Sequence, residues 1–173
     1  MNKYEWQKLK EAVLYILNYT GGLDYYRVFK VLYFAEREHL MRYGVRIIAD
    51  DFCALPYGPV PSHLYNAIKY EQGGSIADVV EFAGEDASNI LLPKRSYDAD
   101  YLSSSDIACL ENSIQANAKL SFSELREKSH DSAYNETDHC RPISEVAMAR
   151  AAGASEDMIE YIREQQEIER VLA

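Results

Sequence analysis

The stretch Phe52–Tyr65, FCALPYGPVPSHLY, limits the folds open to this chain more than any other. Pro56, Pro59 and Pro61 each lock φ at about −65° and lack a backbone donor, so neither a helix nor a central strand can run through them. Leu55, Gly58 and Val60 each precede a proline and are pushed towards extended geometry. The pattern predicts a stiff, extended segment with a turn at Gly58, followed by a helix that starts near Pro61. Much of the freedom of such a segment is already gone in the unfolded chain, so ordering it costs little.

The rest of the chain reads mostly as helix. Trp6, Leu9, Val13, Ile16 and Leu17 recur at helical spacing within a first helix over Tyr4–Asn18. A second helix is expected from an N-cap at Asp24 to a C′ glycine at Gly44. Its middle, Val28–Ala35, is apolar almost all round, which marks it as the centre of the core. It then turns polar at Glu36, Arg37, Glu38 and His39, with Leu40 and Tyr43 returning to the core. Val45–Ile48 and Phe52–Leu55 are expected as short strands. Val79–Phe82 and Ile90–Leu92 flank a polar Gly84–Asn89 turn and predict a β-hairpin. A further helix is expected over Ser105–Ala118, and Ser121 with Glu124 forms a capping box for a short one through Lys128. Ile143–Ala173 reads as two helices parted by Ala152–Ser155. The sum is α+β and predominantly α-helical: six or seven helices around a buried central one, with a small antiparallel sheet or hairpin, in a single domain over 1–173.

Charge narrows the function classes. The 173 residues carry a net charge of −10. Residues 1–50 hold eight Lys/Arg against six Asp/Glu, and residues 51–173 ten against twenty-two. Nucleic-acid affinity rests on neutralising phosphate, so no direct nucleic-acid binding by the chain alone is expected. The tail has the rhythm of a helix-turn-helix, yet the would-be reading helix carries six acidic residues against Arg163 and Arg170. Met158, Tyr161, Ile162 and Ile168 read as its packing stripe. No apolar run is long enough for a membrane span, and Glu5 and Glu11 interrupt the pattern a signal peptide would need. Cys53, Cys109 and Cys140 are odd in number and lack a paired spacing, which points to buried thiols in a reducing compartment.

Catalytic and metal signatures are thin. The four histidines lie far apart, and no P-loop, nucleophile elbow or dinucleotide fingerprint occurs. His130-Asp131 can be drawn into a small hydrolase, but adjacent residues rarely converge as catalytic partners do, and a polar cap at a helix junction is the better reading. Neither cofactor nor metal is expected. The aromatic content says more. Fourteen tyrosines include a cluster around the second helix and the proline segment, and tyrosine is enriched at protein interfaces. Tyr33 and Tyr65 read as core; Tyr57, beside Gly58-Pro59, reads as a surface anchor.

Three stretches together resemble a known family: Leu32–Gly44 (LYFAEREHLMRYG), Ala54–Tyr65 (ALPYGPVPSHLY) and Ser121–Tyr134 (SFSELREKSHDSAY). In order and separation they resemble the SocA-like Panacea antitoxin domain, also described as phage-associated GepA-like proteins. The resemblance covers residues 24–134, followed by the helix pair at 143–173. Tyr134 stands where the family more often has tryptophan. The resemblance implies a cytoplasmic protein, without enzymatic activity, that neutralises an adjacently encoded toxin by binding it directly. A second mode it implies is that of an adaptor delivering the toxin to a AAA+ protease. An acidic chain suits a basic toxin as partner. The expected contact surface is Tyr57, Gly58 and Pro59 together with Glu36, Arg37 and His39, where a rigid segment meets the polar end of the central helix.

Overall fold

The computed structural model describes residues 1–71, 74–84 and 87–173. The chain runs α1 (Lys3–Thr20), β1 (Leu23–Asp24), α2 (Tyr25–Tyr43), β2 (Phe52–Leu55), β3 (Gly58–Pro61), α3 (Ser62–Lys69), β4 (Val80–Ala83) and β5 (Ala87–Pro93). It continues through α4 (Ser104–Asn117), α5 (Phe122–Ser129), α6 (Ser132–Asn135), α7 (Glu145–Ala151) and α8 (Glu156–Leu172). The fold is thus α+β and mostly helical, with eight α-helices among the described residues.

α2 is the central helix, and its ends are where the capping chemistry puts them. The Asp24 side chain accepts from Arg27 N at 3.0 Å, and Gly44, at φ 68°, donates from its N–H to Leu40 O. Gly44 also lies under the Tyr161 ring, which a Cβ would meet at 2.5 Å, so both backbone and space demand glycine there. Val28, Phe29, Val31, Leu32, Tyr33 and Ala35 are at most 2% exposed, because α4, α5, α7 and β3 surround the helix. Leu40 is buried as expected, but Tyr43 is exposed and lies against the His39 ring. In α8 the buried pair is Ile159 and Ile162, while Tyr161 and Ile168 of the expected stripe are exposed.

The proline segment forms a two-stranded antiparallel ribbon. Leu55 pairs with Gly58 across a Pro56-Tyr57 turn, and Phe52 pairs with Pro61. β2 is the inner strand, since its other edge bonds residues 140–143: Ala54 N donates to Arg141 O and Ile143 N to Phe52 O. β3, which carries Pro59 and Pro61, has only one neighbour, so the missing proline donors leave no ladder bond broken. The expected 79–92 hairpin is β4–β5, part of its turn lying outside the described residues. β1 joins it as a third strand, in the order β1-β5-β4.

Val45–Ile48 is not a strand. β2 has no free edge for it, and its inward amides find a carboxylate instead: Ile47 N and Ile48 N donate to Glu36 Oε2 at 3.1 and 3.3 Å. A second buried carboxylate, Asp50, caps α3, whose own N-cap is Pro61 and has no side-chain acceptor. Asp50 accepts from Ser62 Oγ, His63 N and Leu64 N. Glu11, buried in α1, receives Arg95 Nη2 at 2.6 Å and Asp98 N at 2.7 Å. Burial alone would raise its pKa, but these bonds outweigh burial and hold the carboxyl below its ordinary range. Of the three cysteines only Cys109 is fully buried; Cys53 is half-buried and Cys140 is exposed, against the expectation of buried thiols.

Lys30 locks the ribbon onto α2. It is 0% exposed, its Nζ donates to Pro59 O at 2.7 Å, and Nζ lies 4.8 Å from the centre of the Tyr26 ring. Burial pushes its pKa down to about 7. Gly58 fits over it only for want of a side chain: at φ 102°, a Cβ would lie 2.5 Å from Ser129 Oγ and 2.9 Å from Lys30 Nζ.

Two predictions follow from this lock. The unfolded lysine holds its proton up to about pH 10.4, the folded one only to about 7. The unfolded chain therefore binds more protons across that window, and stability rises with pH through it. Lys30→Met should flatten that rise and lift the melting midpoint at pH 7 by about 2–4 °C, read by circular dichroism melts at pH 7 and 9. Gly58→Ala should destabilise by at least about 2 kcal/mol in urea titrations, from left-handed backbone strain plus the steric conflict.

Candidate functional site

Two neighbouring features sit around the ribbon: a polar junction between α5 and α6, and an aromatic cleft beside the Pro56-Tyr57 turn. The junction follows from a helix break. α5 ends at Ser129, and Asp131 restarts the chain as the N-cap of α6, accepting from Tyr134 N at 2.9 Å. The same carboxylate receives Tyr33 OH at 2.8 Å and Arg37 Nη1 at 2.6 Å, so helix, tyrosine and arginine together occupy its lone pairs. Burial, with Asp131 beside it, raises the Tyr33 pKa. Arg37 Nη2 goes on to donate to Ala151 O, tying α2 to α7.

His130 stacks on Tyr134 with ring centres 4.2 Å apart, and Tyr134 OH donates to Leu55 O. Burial, with Arg126 and Lys30 nearby, lowers the His130 pKa. The Ser129 hydroxyl donates to Arg126 O. The Asp131 carboxylate, the hydroxyls of Tyr33 and Ser129 and two guanidinium nitrogens of Arg37 are engaged as a cap, while the buried His130 Nε2 and Arg37 Nε have no hydrogen-bond partner among the described residues. Among the described residues, no group of three or more His, Cys, Asp or Glu stands close enough to hold a metal ion.

The cleft is built from the first turn of α2, the ribbon turn, α3 and the start of α5. It encloses about 810 Å³ and is lined by Tyr25, Tyr26, Phe29, Tyr57, Tyr65 and Phe122 among others. Tyr26 packs on Phe122 at 4.4 Å between ring centres, and Tyr57 meets Phe122 edge-on at 5.6 Å. Tyr26 OH donates to Tyr57 O at 3.0 Å, which fixes the turn, and burial pushes the Tyr26 pKa up to about 12. Tyr57 is nevertheless 59% exposed and Phe122 45%. Large aromatic rings are thus left open on a concave wall whose backbone is held in place.

Of the six expected contact residues, Tyr57 and Gly58 line that cleft and the other four do not. Tyr57 is exposed on it. Gly58, though buried over Lys30, lines the cleft floor beside it, whereas Pro59 is buried and does not line the cleft. Arg37 is half-buried and engaged with Asp131, while Glu36 and His39 are 1% and 2% exposed. The polar end of α2 was expected at the surface, but it points into loops. Glu36 holds the Ile47 and Ile48 amides, and the His39 ring bonds Val45 O and Ser105 Oγ. Burial pushes the Glu36 pKa up to about 7, against the pull of Arg46 and the two amides. Sequence reading missed Phe122. Its signal was its spacing, three and seven residues before Leu125 and Ser129, which puts it at the first turn of the stripe by which α5 packs.

No curated protein and no solved structure matches the chain. The family model described as antitoxin SocA-like, Panacea domain, matches residues 28–134, a span that takes in α2 from Val28 onward, the ribbon, the α5–α6 junction and the cleft apart from its Asp24–Arg27 wall. The chain belongs to the SocA-like Panacea family.

Proposed function

We propose that this protein is an antitoxin that neutralises its cognate toxin by holding it directly, in the cytoplasm and without catalysis, with the Tyr57 cleft as the contact surface. Family membership supports the antitoxin role. The observation that carries the binding mode is the open aromatic wall of Tyr57 and Phe122 on a locked backbone. Aromatic anchors presented without reorganisation are the usual energetic centres of protein interfaces. The net charge of −10 supports capture of a basic toxin, encoded beside this chain, by raising the encounter rate. The commitment of Asp131 to the α6 cap supports a non-enzymatic reading over a His130/Asp131 hydrolase. Among the described residues no helix is long and apolar enough to cross a membrane.

Co-expression with the adjacent reading frame tests this. The neighbour alone should arrest growth, and this chain should restore growth and co-purify with it. Tyr57→Ala should weaken the complex by about tenfold or more while keeping a cooperative melt, because the side chain is mostly solvent-exposed. Loss of the melt in that variant would make Tyr57 a structural residue and remove it from the interface.

A further inference from the structure

The cleft has a charge signature opposite to that of the chain. Three cations stand against three of its rings: Lys69 donates to Tyr25 OH with Nζ 4.6 Å from the ring centre, Lys30 Nζ is 4.8 Å from the centre of Tyr26, and the Arg126 guanidinium carbon 5.7 Å from that of Tyr57. None of the three forms an ion pair among the described residues. The carboxylate that does line the cleft, Asp24, is consumed: it caps α2 through Arg27 N and pairs with Arg27 Nη1 at 2.6 Å. Lys69 lines the cleft and Arg126 stands against the Tyr57 ring at its edge, both exposed, whereas Lys30 is buried beneath.

An aromatic cleft can serve as a cage for an ammonium group, since ring faces carry negative potential. Here three of the rings already have one of the protein's own cations beside them, and among the described residues no unpaired carboxylate lines the cleft to receive a further positive charge. A guest must therefore fill the cleft with apolar atoms and meet the rim with negative ones. We infer that the cleft binds a partner-protein segment that presents a large apolar side chain flanked by acidic residues. This rests on the antitoxin reading only in identifying that partner as the toxin. The acidic chain as a whole does not defeat the preference. At physiological ionic strength, charges more than about 8 Å away are largely screened, while Lys69 and Arg126 act at contact distance. The long-range field then draws in a basic partner, and the cleft selects an acidic-apolar segment on it.

The test uses two heptapeptides, Trp-Leu flanked by aspartates and Trp-Leu flanked by lysines, titrated into the intact chain at 150 mM salt and followed by ¹⁵N–¹H NMR. The aspartate peptide should shift the amides around Tyr26, Tyr57 and Phe122 and bind about tenfold tighter than the lysine peptide. The double variant Lys69→Glu/Arg126→Glu should reverse that order, and Lys94→Glu/Arg163→Glu, away from the cleft, should not. The inference is overturned if the lysine peptide occupies the cleft as tightly, or if neither peptide perturbs it. Rescue of growth by the wild-type chain alongside peptides that show no preference would remove this inference alone. Aspartate-peptide binding without rescue would remove the antitoxin reading and leave the cleft's preference standing.

Discussion

Helix α2 must be covered on nearly every side, and most of the fold follows from how its polar groups survive that burial. The run Val28–Ala35 points apolar atoms in all directions, so α4, α5, α7 and β3 close around it. Lys30, Tyr33, Glu36 and His39 on the same helix then lose access to water, and Arg37 keeps only a part of it. Each finds a partner on a different segment: Pro59 O, Asp131, the Ile47 and Ile48 amides, Ala151 O and Val45 O. Leaving one such group unpaired costs about 1–3 kcal/mol, enough to pin a loop that has no core of its own. The helix therefore sets the positions of the loops as well as the core.

The proline ribbon shows the same logic at the surface. Its stiffness comes from Pro56, Pro59 and Pro61, and its position from Lys30 below and Tyr26 OH beside it. Neither would suffice alone: prolines restrict the chain without placing it, and one buried ammonium is a weak source of stability. Together they hold the Tyr57 carbonyl and the Gly58-Pro59 backbone still while the Tyr57 ring stays open. The α5–α6 junction braces the ribbon from the other side, through Tyr134 OH on Leu55 O.

Charge acts on two length scales in this molecule. The excess of acidic residues lies after position 50, with six of them on α8, and sets the long-range field of the chain. The cleft, near the start of α2, is ringed by Lys69, Arg126 and the paired Asp24–Arg27. Screening separates the two effects, so encounter and final contact can favour different features of one partner.

Much of this was legible in the sequence. The ends of α2 at Asp24 and Gly44, the Ser121–Glu124 cap, the β4–β5 hairpin, the α7–α8 pair and the family motifs all rest on short-range rules of capping, turn chemistry and periodicity. Tyr57 was legible as an anchor candidate for the same reason, being placed by its proline neighbours. Only the tertiary structure decided which polar residues face water. Glu36 and His39 looked like a solvated helix face and are buried, because the loop after α2 folds back on them and Ser105 of α4 reaches His39. Val45–Ile48 looked like a strand and lost its neighbour to residues 140–143. Phe122 joined the cleft from nearly a hundred residues beyond Tyr26. Local rules determine what each segment can form, but the satisfaction of buried polar groups and the meeting of rings across a cleft depend on contacts that exist only once the chain has closed on itself.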